Sequence, residues 1–160
     1  MSMTILGIDP GLASCGYGVV RVDSHKHLAY GTHGCIRTSS TEPLAARLVT
    51  IYAALEDVIA HHGVTDICCE DIFFAKNTRS ALLVSRVCGI IALLAGRSSL
   101  PFAEYTPLQI KQATACYGRA DKSQVMHMVQ LLLHIPDVKL NDHEADALAA
   151  AVCHAHSYSG

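Results

Sequence analysis

The hydrophobic pattern of the chain changes period several times, and each change marks an element. Met3 to Ile8 is a short, mostly apolar run that stops at Asp9-Pro10-Gly11, the pattern of a buried strand breaking into a turn. Two further strand-like runs, Gly16 to Val22 and His27 to Thr32, flank the polar segment Asp23-Ser24-His25-Lys26 and pair most simply as a hairpin. The period then lengthens. Leu44, Leu48, Ile51, Leu55 and Val58 recur at alternating spacings of four and three, which predicts a helix with Pro43 in its first turn and Gly63 at its end. Val64 to Glu70 reads as another strand, Thr78 as the cap of a long helix running to about Arg97, and Phe102 to Tyr105 as a short strand after Pro101. Asp121-Lys122-Ser123-Gln124 and Asn141-Asp142-His143-Glu144 each place a capping side chain three residues before Gln or Glu, the signature of a helix start. Three strands early, then helices interleaved with short strands, predict an α/β architecture with a mixed sheet flanked by helices. No repeat, linker or low-complexity stretch divides residues 1–160, so a single domain is expected.

Composition narrows the class. With 51% hydrophobic and 16% charged residues, the chain is excluded from the disordered and fibrous classes. A domain of this length buries roughly 70% of its unfolded surface. No apolar run is expected to reach the ~20 residues of a membrane span, and Met1-Ser2-Met3 leads into a strand with no basic leader, so the expected location is the cytoplasm. Cysteines 15, 35, 68, 69, 88, 116 and 153 lie within apolar runs without C-x-x-C spacing and read as structural thiols. Most histidines read as incidental. His25, His27, His61 and His62 flank turns, and the tail cluster around His154 and His156 is a poor metal site because adjacent helical residues do not share a face. The net charge of −2 argues against a protein that coats nucleic acid indiscriminately, yet between Lys76 and Lys122 seven basic residues stand against two acids.

Three carboxylates stand where chemistry could use them. Asp9 ends the first strand, Glu70 ends the strand after the first helix, and Asp146 interrupts a run of alanines in a helix packed on nearly every side. Each is costly to bury without a partner. His143 and Asp142 precede Asp146 by one helical turn and can reach the same ligand. Carboxylate-rich sites suit Mg²⁺ or Mn²⁺ and phosphate substrates. Two such ions ~4 Å apart would serve phosphodiester hydrolysis. The alternatives are a turn-forming Asp9, a solvated strand end at Glu70, and a purely capping role for Asp142 and Glu144.

Several segments, taken in order, resemble the RuvC-type Holliday-junction resolvases. They are Ile5-Leu6-Gly7-Ile8-Asp9-Pro10-Gly11, Gly16-Tyr17-Gly18, Gly34-Cys35-Ile36-Arg37-Thr38, Glu70 with Phe73 and Ala75-Lys76-Asn77, Lys122-Ser123-Gln124-Val125, and Glu144-Ala145-Asp146-Ala147-Leu148-Ala149. The match runs from about residue 4 to 156. The resemblance implies a ribonuclease-H-like fold, with early strands antiparallel and later ones parallel. It implies a homodimer that makes symmetric paired nicks in a four-way DNA junction during recombination and repair, with a branch-migration motor complex as partner. It also implies two Mg²⁺ ions per active site, with Mn²⁺ able to substitute. Asp9, Glu70 and Asp146 fall on three of the family's four metal-binding acidic positions, and the fourth, Asp in many relatives and His in some, falls on His143. On that reading Asp9 bridges both ions, Glu70 holds one, Asp146 and His143 hold the other, and His143 is either a ligand or a proton acceptor. Phe73 is expected to stack on an unpaired base, and Lys76, Arg79, Lys111, Arg119 and Lys122 to hold DNA. Gly89, Ala92 and Gly96 would allow close approach of the long helix in the dimer. The alternatives are a junction-binding module that has lost catalysis and a ribonuclease-H-like nuclease acting on structured RNA. An ATPase is disfavoured because the sequence has no Walker-type phosphate loop.

Overall fold

The structure, a computed structural model, describes residues 2–71, 78–115 and 118–158. Strand β1 (Met3–Asp9) runs through the middle of a five-stranded sheet. On one side lie β2 (Ser14–Val22) and the edge strand β3 (Leu28–Arg37), and on the other β4 (Asp66–Glu70) and the edge strand β5 (Phe102–Tyr105). β1, β2 and β3 pair antiparallel in succession, whereas β4 is parallel to β1 and β5 is parallel to β4. The hairpin read from the sequence is therefore the β2–β3 pair, with a register shift between Val19 and Val20.

Alternation along the central strands divides the core in two. Leu6, Ile8, Val19, Ile67 and Cys69 face α1 (Leu44–His62) and α2 (Thr78–Arg97), where they pack with Ile51, Leu55, Val87, Ile91 and Leu94. Ile5, Val20 and Cys68 face the other way, toward α3 (Pro107–Ala115), α4 (Lys122–Leu132) and α5 (Asp142–Ser157), and pack with Ile110, Val125, Val129, Leu148 and Val152. Each fully buried Leu or Ile contributes about 1.5–3 kcal/mol. Helix α1 ends as the sequence predicts, with Gly63 left-handed at φ 61° and its N–H donated to the Ile59 carbonyl. Both reciprocal caps form, Asp121 with Gln124 and Asn141 with Glu144.

Helix α5 lies on bare backbone. A Cβ at Gly7 would run into the Ala147 carbonyl oxygen and the Ala151 amide nitrogen, and one at Gly16 into the His143 carbonyl. Ala145, Ala147, Ala149, Ala150 and Ala151 are all buried at this seam. At the far end of α5, His154 is fully buried, with Nδ1 2.9 Å from the Tyr105 hydroxyl and Nε2 3.5 Å from Asp66. Burial holds its pKa below the ordinary histidine value against the opposing pull of Asp66. This histidine therefore works as a structural anchor, while His156 separately meets the Ala113 carbonyl.

Several elements differ from expectation. β3 runs to Arg37 rather than Thr32, because an edge strand of half-buried positions carries little apolar alternation to read. β2 begins two residues before Gly16. Pro43 precedes the first turn of α1 instead of lying in it. α3, which starts on Pro107, has only a short buried stripe at Ile110, Thr114 and Ala115, and the sequence reading misses it. By length and composition Arg79–Arg97 could cross a membrane, contrary to the expectation that no such run exists. Its Val87, Ile91 and Leu94 are buried in the core with β4. The cysteines among the described residues are free, as read, and Cys116 lies outside them.

Gly7→Ala should strain the α5 seam by about 1–3 kcal/mol and lower the melting temperature by several degrees. Thr50→Ala, on the exposed face of α1, should leave it level or raise it. Equal melting of the two variants by circular dichroism would show that the seam has room to spare.

Candidate active site

Two neighbouring strands end side by side. The β1–β4 register pairs Ile8 with Cys69, so Asp9 and Glu70 come next at the carboxyl edge of parallel strands, where open α/β sheets place their sites. The other neighbour of Asp9 is Gly16, its partner across the β1–β2 ladder. Because Gly16 has no side chain, the first turn of α5 settles there and brings His143 Nδ1 to 2.7 Å from Asp9 Oδ2. Asp146 follows one turn later on α5. Lys122, the first residue of α4 and fixed in place by the Asp121 cap, reaches Asp146 Oδ2 at 3.3 Å.

Asp146 and Lys122 open on a cleft of about 210 Å³ that Glu70 and Lys111 also line. Burial, then the charges of Asp146 and Asp9, push the Glu70 carboxyl from 4.5 up to about 7, although Lys122 and Lys111 pull it back. Asp9 is also raised, by burial first and by Asp146, against the hydrogen bond from His143. Lys122 holds its proton more tightly than usual, chiefly because of Asp146.

Among the described residues no three acid, histidine or cysteine side chains close to metal-binding distance. The direct contacts are instead Asp9 with His143 and Asp146 with Lys122, which occupy oxygens that a cation would take. The donor set nevertheless fits a hard divalent cation: three carboxylates and one imidazole, with Glu70 raised to about 7 by burial and then by its neighbours' negative charge. With its Nδ1–H given to Asp9, a neutral His143 ring keeps its lone pair on Nε2.

The structure brings together Asp9, Glu70, His143, Asp146, Lys111 and Lys122. Asp142, the lesser candidate, is exposed at the start of α5 and leaves the Asp9 contact to His143. Arg79 is exposed on the first turn of α2 and Arg119 on the turn before α4, and neither lines the cleft. Phe73 and Lys76 lie outside the described residues. The sequence reading passes over Arg47, which has the look of a solvated helix face but lines a second hollow beside His143.

The family model for crossover junction endodeoxyribonuclease RuvC matches residues 5–154. The crossover junction endodeoxyribonuclease RuvC of Pelotomaculum thermopropionicum is 48% identical over 157 residues, covering 98% of this chain and 95% of that protein. Thermus thermophilus RuvC superposes with a TM-score of 0.89 at 32% identity, covering 98% of this chain and 95% of the other. T. thermophilus RuvC in complex with Holliday junction substrate gives 0.92 at 32% identity, with 98% and 94% covered. The mixed sheet and its flanking helices are thus the ribonuclease-H-like fold of these nucleases. With its three carboxylates and a histidine gathered at the edge of that sheet, the chain belongs to the RuvC family of crossover junction endodeoxyribonucleases.

Proposed function

We propose that this chain resolves four-way DNA junctions by symmetric paired nicks, through divalent-metal-dependent hydrolysis of phosphodiesters in recombination and repair. The observation that carries this reading is the convergence of Asp9 and His143, 134 positions apart in sequence, with Glu70 and Asp146 beside two lysines. Asp9, Glu70, Asp146 and His143 Nε2 would hold Mg²⁺ or Mn²⁺, two ions per active site. Such ions supply Lewis-acid polarisation of the scissile phosphate and stabilise the leaving oxygen.

The chain's own residues orient and exchange charge. Asp9 fixes the His143 ring, which leaves Nε2 able to accept a proton. Lys122 trades Asp146 for a phosphate as substrate enters, and Lys111 meets the same strand from α3. Arg79, Arg119 and Lys76 hold flanking phosphates, and Phe73 stacks on an unpaired base at the exchange point. Residues 1–160 form one nuclease domain acting in the cytoplasm, coupled to a branch-migration motor. The outer face of α2 pairs two copies: Leu82 and Leu93 are 52% and 56% exposed, and a Cβ at Gly89 or Gly96 meets nothing. Two-fold symmetry in the enzyme matches paired nicking of the junction.

On a synthetic four-way junction with Mg²⁺ or Mn²⁺, Asp146→Asn should lose nicking by about 100-fold or more while metal-free binding persists. Tight binding by the unmodified protein with no nicks under either metal would make it a binding module instead.

Because the folded chain holds the Glu70 proton more tightly than the unfolded one, the stability tied to it is complete below about pH 4.5 and is lost as the pH rises through about 7. Without divalent ions, Glu70→Gln should therefore melt about 2–4 °C above the unmodified protein at about pH 8 and level with it at about pH 5. Added Mg²⁺ should close the gap at the higher pH. A gap that ignores pH would sink this account of Glu70.

Gly89→Glu should keep the helical circular dichroism and halve the mass measured by sedimentation. An unchanged mass would place the dimer contact elsewhere.

A further inference from the structure

Two hollows border the carboxylates. Beside His143, between the β1–β2 turn, α1 and α2, lies a groove of about 460 Å³ that shares no lining residue with the lysine-lined cleft. Its walls include Ser14, Ser40, Ser80, Leu83, Arg47 and His143, and among the described residues none of its lining is acidic. His143 lines this groove and also bonds Asp9, so the groove borders the carboxylate cluster.

Arg47 is held in place rather than waving in solvent. Its Nε donates to Thr38 Oγ1 at 2.8 Å, and the Thr38 hydroxyl in turn donates to the Leu12 carbonyl, three residues beyond Asp9. That chain of bonds ties the guanidinium to the turn that carries the first catalytic carboxylate. It uses Nε alone, and the terminal nitrogens of Arg47 have no partner among the described residues. A half-buried guanidinium in the wall of a groove that has no acid among its described lining residues is suited to an oxyanion, and its planar fork matches phosphate better than an ammonium does. The Ser14 and Ser40 hydroxyls add donors of the kind that meet phosphate oxygens. Leu83 and Val84 supply an apolar wall.

We infer that this groove holds the backbone of the cleaved strand on the side of the scissile phosphate away from Lys111 and Lys122, with Arg47 gripping a phosphate through its terminal nitrogens. The inference rests on the junction-resolving reading above and adds a positioning residue to it.

The test is binding of a four-way DNA junction without divalent ions over a range of salt concentrations, with thermal melts in parallel. Arg47→Ala should weaken binding about 3–10-fold at moderate salt and flatten the dependence of log K on log salt by about 0.9, the release expected for one lost phosphate contact. Arg47→Gln keeps an amide donor for Thr38, so it serves if the alanine variant fails to fold, and it should flatten the slope equally. Arg47→Lys should keep most of the slope. Thr38→Val, which frees the guanidinium without removing its charge, should also keep it. A role confined to bracing the turn would move the melting temperature and leave the slope alone, and that result overturns the inference while the nuclease reading stands. If the unmodified protein neither prefers the junction nor nicks it, the nuclease reading falls and this inference falls with it.

Discussion

The active site depends on the absence of side chains at the seam between α5 and the sheet. Gly7 and Gly16 let the backbone of a helix rest on the backbone of two strands, and the alanines of α5 answer them from the other side. Interiors pack like crystals, so a gap of one methyl group here would be a displacement of the whole helix. Gly16 matters most for chemistry because it is the ladder partner of Asp9 and the resting place of His143. A helix held one methyl further out would take His143 and Asp146 away from the strand ends together. At its other end the same helix is anchored by the buried His154 between Tyr105 and Asp66.

Once α5 is fixed, electrostatics sets the character of the site. Burial at the sheet edge raises both Asp9 and Glu70, and each carboxylate worsens the position of the others. The protein answers with local partners: an imidazole on Asp9 and an ammonium on Asp146. Both come from the first turn of a helix with a reciprocal cap, so the rigid entry of α4 and α5 aims the two side chains. Glu70 faces the cleft beside Lys111 and Lys122, its carboxyl raised by burial and by the neighbouring acids.

What was legible in the sequence follows from how local the signal is. The strand ending at Asp9, the glycine stop at Gly63 and the two caps are written in a few adjacent residues, and all four form. β3 and α3 were harder because an edge strand and a short helix bury too little to impose a clear period. The candidate acids could be named one by one, but nothing local shows that positions 9 and 143 touch. The resemblance supplied that pairing, and the structure gives its reason at Gly16. His154 reads from the sequence only as part of a poor metal site at a helix end, because its anchoring role shows only once the sheet it packs on is known. Arg47 was passed over on the same grounds.

The histidine at position 143 also makes sense as charge management. Asp9 and Glu70 are already pushed upward by Asp146 and, for Glu70, by Asp9 as well. A fourth carboxylate against Asp9 at hydrogen-bond distance would add a like charge at the most buried point of the cluster, and two carboxylates so close do not both ionise readily. An imidazole there does the opposite, because its Nδ1–H stabilises the ionised form of Asp9 and opposes the rise that burial and Asp146 impose on that group's pKa. It also offers a nitrogen on the far side of the ring, so the position keeps a donor atom without adding to the repulsion. Position 143 thus exchanges negative charge for a hydrogen bond that orients Asp9 and favours its carboxylate form.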